Sequence, residues 1–375
     1  MNRTWMKASA AMITAFGMIM MMMTSKAEPL LAPDAASMAV IECESGCLLA
    51  EQNKDMRLPM ASTTKIMTAL IVLENCDINE QFVIPDEAVG TEGSSMYLGY
   101  GERVSVKDLL YGLMLASGND AAVALAVHVG GDVKGFVDMM NKKAEDMGLE
   151  RTHFVTPNGL HSDEHLTTAY ELCLIAREAL KNEVFREITS TKYYKTETGD
   201  KVRTLKNKNS LLWDYEGAFG VKTGYTMAAG RCLVFGAERD GMTVVGTVLN
   251  CRPMFETAAE LLDEAFETFS KETVVEAGQP ASNTYIKNSI ENILEIETKG
   301  SIITVMRKDE KKSFNISCEV YPDLTAPIFK GETVGVLNVY DGGELVGSTE
   351  LVAKNDVHLR DYGFWWRLLS DLFAA

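Results

Sequence analysis

The chain has 375 residues, is 46% hydrophobic and 24% charged, and carries a formal net charge of −17. That length and balance exclude a disordered chain and a disulfide-built miniature scaffold, and suit two domains of ordinary size with a substantial core. The acidic surface, with no basic stripe interleaved with aromatics, argues against a nucleic-acid partner.

In chain order, Arg3 and Lys7 form a basic start, Ala8 to Met23 an apolar run, and Ser25-Lys26-Ala27 a small-residue exit. The pattern predicts a secretory signal peptide over 1–27, cleaved after Ala27. The alternative is an uncleaved membrane anchor, because the run approaches spanning length. Either reading exports the rest of the chain. Loss of Arg3, Lys7 and Lys26 leaves 33 basic against 53 acidic residues, a net charge of −20. Residues 37–51 read as two strands around Ser45-Gly46, which Cys43 and Cys47 flank closely enough to pair across a hairpin. The seven cysteines are odd in number and irregular in spacing, so mostly free, buried thiols are the expectation. No Cys or His pair has zinc-ligand spacing.

Further on, Ile66, Met67, Leu70, Ile71 and Leu73 give the apolar face of a helix that opens at Ser62. A largely apolar buried helix is predicted over 107–128, and amphipathic helices over 133–147 and 167–181. Residues 231–250 read as a hairpin turning at Asp240-Gly241, followed by a helix from about Phe255 to Phe269. Trp213 is expected in the core. Near residue 270 the texture changes. Short β-type runs at 302–306, 314–321 and 334–340, separated by turns such as Asp341-Gly342-Gly343, predict a small all-β domain. At the end, Tyr362, Trp365, Trp366, Leu369, Leu372 and Phe373 share one face of a short helix, suited to lying in a membrane interface or to docking on its own domain. The predicted domains are therefore 28–270, mixed α/β (α+β) with an antiparallel sheet, then 271–357, β-rich, then an amphipathic helix over 358–375.

Three short motifs carry chemistry. Ser62-Thr63-Thr64-Lys65 sets a hydroxyl and an amine three apart on one helix face, where a lysine with a depressed pKa can take the serine proton. Ser117-Gly118-Asn119 interrupts a strongly apolar run. Lys222-Thr223-Gly224 precedes the hairpin and offers an ammonium, a hydroxyl and a close-approach glycine to an anionic substrate. Each alone is weak; in this order and spacing they form the set known from penicillin-recognising serine enzymes.

The segments Pro59–Thr68, Leu115–Ala121 and Val221–Thr226, with Thr152-His153-Phe154 and Asn158-Gly159-Leu160 between them, resemble the low-molecular-weight penicillin-binding proteins that act as serine-type D-alanyl-D-alanine carboxypeptidases. The resemblance covers nearly the whole chain after the leader. It implies Ser62 as nucleophile, Lys65 as its base and Ser117 as proton relay to the departing D-alanine. It further implies that Asn119 binds the substrate amide and that Lys222 and Thr223 receive the terminal carboxylate. Gly224 and Tyr225 complete the substrate cleft, with the backbone N–H groups of Ser62 and Tyr225 as oxyanion hole. It implies no metal and no organic cofactor. The implied partners are peptidoglycan stem peptides, β-lactams and, through the terminal helix, the outer face of the cytoplasmic membrane. Arg252 is an additional carboxylate-binding candidate, whereas His153, His161 and His165 read as structural. The rival readings are a class A β-lactamase, for which the Glu-x-x-Leu-Asn type segment is missing, a peptidoglycan endopeptidase, and an idle penicillin-binding sensor or scaffold.

Overall fold

The computed structural model describes residues 34–360 and residue 363. The predicted leader and all but the first residues of the predicted terminal helix lie outside the described residues.

A five-stranded antiparallel sheet organises the first part of the chain. Its strands run in the order Leu48–Gln52, Ala35–Glu42, Met242–Cys251, Gly230–Arg239, Ala218–Thr226. The predicted hairpin is present, closing from Arg239 to Met242. Its second strand also pairs with the first strand of the chain, from Ala35 opposite Cys251 to Glu42 opposite Val244. Residues from 202 to 216 positions apart in sequence thus form one ladder.

Both faces of this sheet are covered, so its strands are apolar almost throughout. Alternate residues enter different cores. Ala39 and Ile41 join Val234, Val245 and Leu249 beneath the helices Lys65–Asn75, Asn119–Gly130 and Ala169–Leu180. Met38 and Val40 join Leu233, Phe235 and Val248 against Leu261, Leu262, Ala265 and Phe266 of the helix Met254–Thr268. Thr168 caps its helix by accepting from the N–H of Glu171 at 3.1 Å, and Asn182 caps the next by accepting from Val184 at 2.9 Å.

The last helix runs directly into the strand Phe269–Val275, which pairs with Ile302–Arg307. Beyond it a second antiparallel sheet has the order Pro280–Tyr285, Ile293–Thr298, Glu344–Ala353, Thr333–Asp341, Asn315–Val320. Its core is Leu294, Ile296, Ile302, Leu337, Val339 and Leu351. Residues 358–360 are not helical: Leu359 bridges to Ser289, and Arg360 N donates to Asn288 O. The helix predicted from 358 therefore cannot begin there.

Three other expectations need correction. The apolar segment 107–128 is not one helix, as detailed below. Trp213 is 38% exposed, because its helix, Leu211–Asp214, is one turn long and buries Leu211 and Leu212 instead. Its ring lies edge-on to Tyr193, with Lys206 Nζ 5.2 Å from its centre. All seven cysteines are free, Cys43 and Cys47 among them, but only Cys173, Cys232 and Cys251 are buried.

Candidate active site

Ser62 sits on a 3-10 turn, Ala61–Thr64, that leads into the α-helix Lys65–Asn75. The sequence placed it in the first α-turn. The tighter turn stacks residues three apart more directly, and Lys65 Nζ lies 3.1 Å from Ser62 Oγ. Ala61 enters the turn at φ +48°, a left-handed conformation that costs a side-chain-bearing residue about 1 kcal/mol or more. Several contacts hold that strain. Thr63 Oγ1 donates to Met60 O at 2.6 Å, and Thr64 Oγ1 donates to Ala61 O at 2.8 Å. His165 meets Thr64 Oγ1 through Nε2 at 2.7 Å, while its Nδ1 accepts from Val155 N at 2.9 Å. Both imidazole nitrogens are thereby engaged, and burial pulls His165 down to about 4, so it stays neutral. This is the structural role expected of it.

Main chain grips the turn on two sides. At Gly159, with φ +85°, a β-carbon would stand 2.0 Å from Ala61 O. At Gly224 it would stand 3.0 Å from Met60 O and 3.1 Å from Ser62 N. Only glycine fits at the first place, and at the second a β-carbon would force the turn to give by a few tenths of an ångström.

The second motif is placed by a broken helix. The α-helix Val106–Tyr111 widens into a π turn over Gly112–Ala116, then Ser117 takes φ +62°, and a new helix starts at Asn119. Gly118 N donates back to Gly112 O at 3.0 Å across the break. Asn119 stands at the new helix start, held by three hydrogen bonds. Its N–H donates to Ser94 O at 2.6 Å and its Nδ2 donates to Glu92 O at 2.6 Å. Its Oδ1 accepts from Lys65 Nζ at 2.7 Å. Ser117 is buried beside it; among the described residues no hydrogen bond joins Ser117 to Ser62 or Lys65.

Lys222 and Gly224 lie two apart on the sheet's edge strand and so face the same side, that of the Ser62 turn. Lys222 is buried, and its Nζ donates to Thr223 O at 2.9 Å. Thr223 is half-buried, and Tyr225 is exposed with the Arg231 guanidinium 5.6 Å from its ring centre. Arg252 is exposed just past the strand Met242–Cys251, two strands from Lys222 in sheet order.

Charge in the site is one-sided. Lys65 is fully buried. Burial first, then the positive charges of Lys222 and Lys208, hold its pKa well below the ordinary lysine range. Lys222 is brought down to about 7 by burial and by Lys208. Among the described residues neither lysine has a carboxylate within ion-pair distance, and Asp120 opposes the depression of Lys65 only as the smallest influence. Lys208, whose Nζ donates to Ser94 Oγ at 3.0 Å, was missed in the sequence. Its only sign there is a lysine between two asparagines that prove buried, Asn207 and Asn209. Asn158 was noted only as part of a pattern, and its contribution is a backbone carbonyl that accepts from Lys65 Nζ at 2.6 Å.

With a hydroxyl, a desolvated amine and a cationic edge strand converging, the site belongs to the active-serine acyl-transfer class. The sequence profile of the D-alanyl-D-alanine carboxypeptidase family matches residues 22–252, and that of the penicillin-binding protein 5 C-terminal domain matches residues 269–359. The chain is 34% identical over 337 residues to D-alanyl-D-alanine carboxypeptidase DacF of Bacillus subtilis (strain 168), covering 87% of each. It is 33% identical to D-alanyl-D-alanine carboxypeptidase DacA of Escherichia coli (strain K12), covering 86% of this chain and 84% of the relative. Penicillin-binding protein 5 from Haemophilus influenzae superposes with a TM-score of 0.72 at 29% identity, covering 87% of this chain and 98% of that one. The chain belongs to the D-alanyl-D-alanine carboxypeptidase family, and its activity is that of a serine-type carboxypeptidase of the cell wall.

Proposed function

We propose that this carboxypeptidase works through an acyl-enzyme on Ser62, with Lys65 as the base. The carrying observation is the set of partners around Lys65 Nζ. Two are carbonyl oxygens, Asn119 Oδ1 at 2.7 Å and Asn158 O at 2.6 Å, which can only accept. A neutral amine has two N–H bonds and one lone pair. The carbonyls consume both N–H bonds and leave the lone pair for the third partner, Ser62, whose hydroxyl can donate. Burial and the neighbouring lysines favour that neutral state.

The Ser62 oxygen then attacks the carbonyl between the two D-alanines as its proton passes to Lys65. The Ser62 and Tyr225 N–H groups receive the developing oxyanion. The peptide bond breaks, and the amine of the leaving D-alanine takes a proton from Lys65 by way of Ser117. Asn119 holds the substrate amide. Lys222 and Thr223 hold the terminal carboxylate, whose negative charge returns Lys222 to its charged form. Water releases the shortened stem peptide, and a β-lactam enters the same path and leaves slowly.

The test is D-alanine release from a diacyl-Lys-D-Ala-D-Ala peptide by purified protein, with a Ser62→Ala control. Release should fall by at least about 10³-fold in the control. A folded protein that takes a covalent penicillin at Ser62 yet releases no D-alanine would favour the sensor or endopeptidase readings.

The same reading makes residues 1–27 an export leader and residues 271–357 a stalk that carries the catalytic domain. It makes the aromatic face near the end of the chain a contact with the outer surface of the cytoplasmic membrane. Truncation after residue 357 should move the protein from the membrane to the soluble fraction, and an unchanged distribution would sink that part.

A further inference from the structure

Far from Ser62, three side chains of different chemistry converge. Cys76 Sγ, a Glu80 carboxylate oxygen and a His128 ring nitrogen all lie within 4.8 Å of one another. The residues stand 4 and 48 positions apart, a spacing that matches no linear zinc signature, which is why the sequence carries no sign of them. We propose that they form a site for a divalent cation of the zinc class, with water as a fourth ligand.

The donor set favours that class. A thiolate, an imidazole and a carboxylate together suit a borderline-soft tetrahedral ion better than calcium or magnesium, which take oxygen ligands. The geometry is close to what such an ion needs. His128 Nε2 and Glu80 Oε1 are 3.3 Å apart. Two ligands at about 2.0–2.1 Å from a tetrahedral zinc stand about 3.3–3.4 Å apart. The sulfur must close by up to roughly 1 Å to reach a Zn–S bond of about 2.3 Å, within reach of a side-chain rotation. A plain ion pair would account for the Glu80–His128 contact, but not for the thiol beside it.

The frame behind the ligands is fixed. Cys76 N donates to Val72 O at 3.0 Å as the cap of its helix. Glu80 N donates to Asp77 O at 3.0 Å, and Glu80 O accepts from Val106 N at 2.9 Å. The Phe82 ring lies flat on the His128 imidazole, 3.9 Å between centres and 1° between planes, which sets the direction of the ring nitrogens. Supports of this kind orient ligands in metal centres.

The position gives the site a purpose. Cys76 closes the helix that Lys65 opens, and His128 lies in the last turn of the helix that Asn119 opens. At the near ends Lys65 and Asn119 are joined by a hydrogen bond. A cation would join the far ends, about 16 Å along the axes. It would stiffen the pair without touching substrate.

The test uses full-length protein stripped with a chelator and titrated with Zn²⁺ in a calorimeter. Alkylation of Cys76 is followed by mass spectrometry with and without the metal. One equivalent should bind. Binding should weaken by about 100-fold in both Cys76→Ser and His128→Gln, and zinc should slow Cys76 alkylation by at least about 10-fold. Both variants should retain D-alanine release, which certifies that they are folded. The proposal is overturned if either variant binds zinc as tightly as the unaltered protein, or if Cys76 reacts at the same rate with and without zinc. Neither outcome bears on the assignment of Ser62.

Discussion

The two halves of the chain bury different things. Within the catalytic half, Glu42, Lys65, Glu102, Asp108, Asp120, Glu171 and Lys222 all lose nearly all contact with solvent. Among the described residues of the β-rich half, the buried polar side chains are Ser289 and Thr298, neither of which is charged. An apolar core is enough to hold a β domain together, whereas a site that moves protons must hold ionisable groups out of water.

Within the catalytic half a second contrast separates scaffold from chemistry. Most of the buried acids are well supplied with donors; Glu42 is the exception, with one oxygen taking Ser45 N and Oγ and the other buried without a partner among the described residues. Asp120 accepts from Met96 N, Leu98 N and Ser95 Oγ at 3.0, 3.1 and 2.6 Å, fixing the loop that holds Asn119. Glu102 is paired with Arg203 at 2.7 Å, and Asp108 takes Thr198 N at 2.7 Å and Tyr194 Oη at 2.8 Å. The two buried lysines instead meet neutral oxygens and the positive charge of Lys208, with Asp120 a smaller opposing charge on Lys65. Asp120, Glu102 and Asp108 are held by ionic or N–H and O–H donors and serve the scaffold; the two lysines are held without an ion pair, which keeps their protons exchangeable.

The sharpest way to break that distinction is Lys65→Met. Acylation and D-alanine release should fall by about 10³-fold or more, while the melting temperature changes little, because the desolvation cost of the amine is removed as Asn119 Oδ1 and Asn158 O lose their donor. A large loss of stability would mean that Lys65 is architecture after all. Asp120→Ala should do the reverse in kind. Four donors, the three above and Ala121 N, lose a charged acceptor, so stability should drop by about 2–4 kcal/mol in denaturant melts. Any residual folded fraction should keep penicillin acylation within about tenfold.

The smallest effect is in pH. Lys222 titrates near 7 when folded and at 10.5 in an open chain. Between those values the unfolded state binds the extra proton, so stability contributed at this position rises with pH across that window and is flat below it. If Lys222 receives the substrate carboxylate as proposed, binding needs its charged form, and kcat/KM should decline as pH passes upward through about 7. Lys222→Arg, which stays charged, should carry that limb to higher pH. An unmoved limb would assign it elsewhere.

Much of this was legible in the sequence. The hairpin at Asp240-Gly241 and the amphipathic helices over 133–147 and 167–181 are local features, fixed by turn chemistry and periodicity. The three motifs were legible because order and spacing tie them together. What escaped depends on contacts between distant segments. The apolar run from Leu109 to Leu125 hides the widened turn that aims Ser117 and Asn119. The carbonyl of Asn158 is main chain and has no side-chain signature. Lys208 looks like any surface lysine until the fold sets its charge beside two others. Trp213 was misplaced because apolar neighbours in sequence need not share a face on a one-turn helix.

The grip of Gly159 and Gly224 on the Ser62 turn limits how this enzyme can change over generations. The atoms pressing on the turn are peptide atoms, which mutation does not trim. Room for a bulkier acyl group must therefore be sought outward, where Tyr225 and Met227 stand exposed. Selection can redraw the rim of the cleft freely while its floor stays as it is.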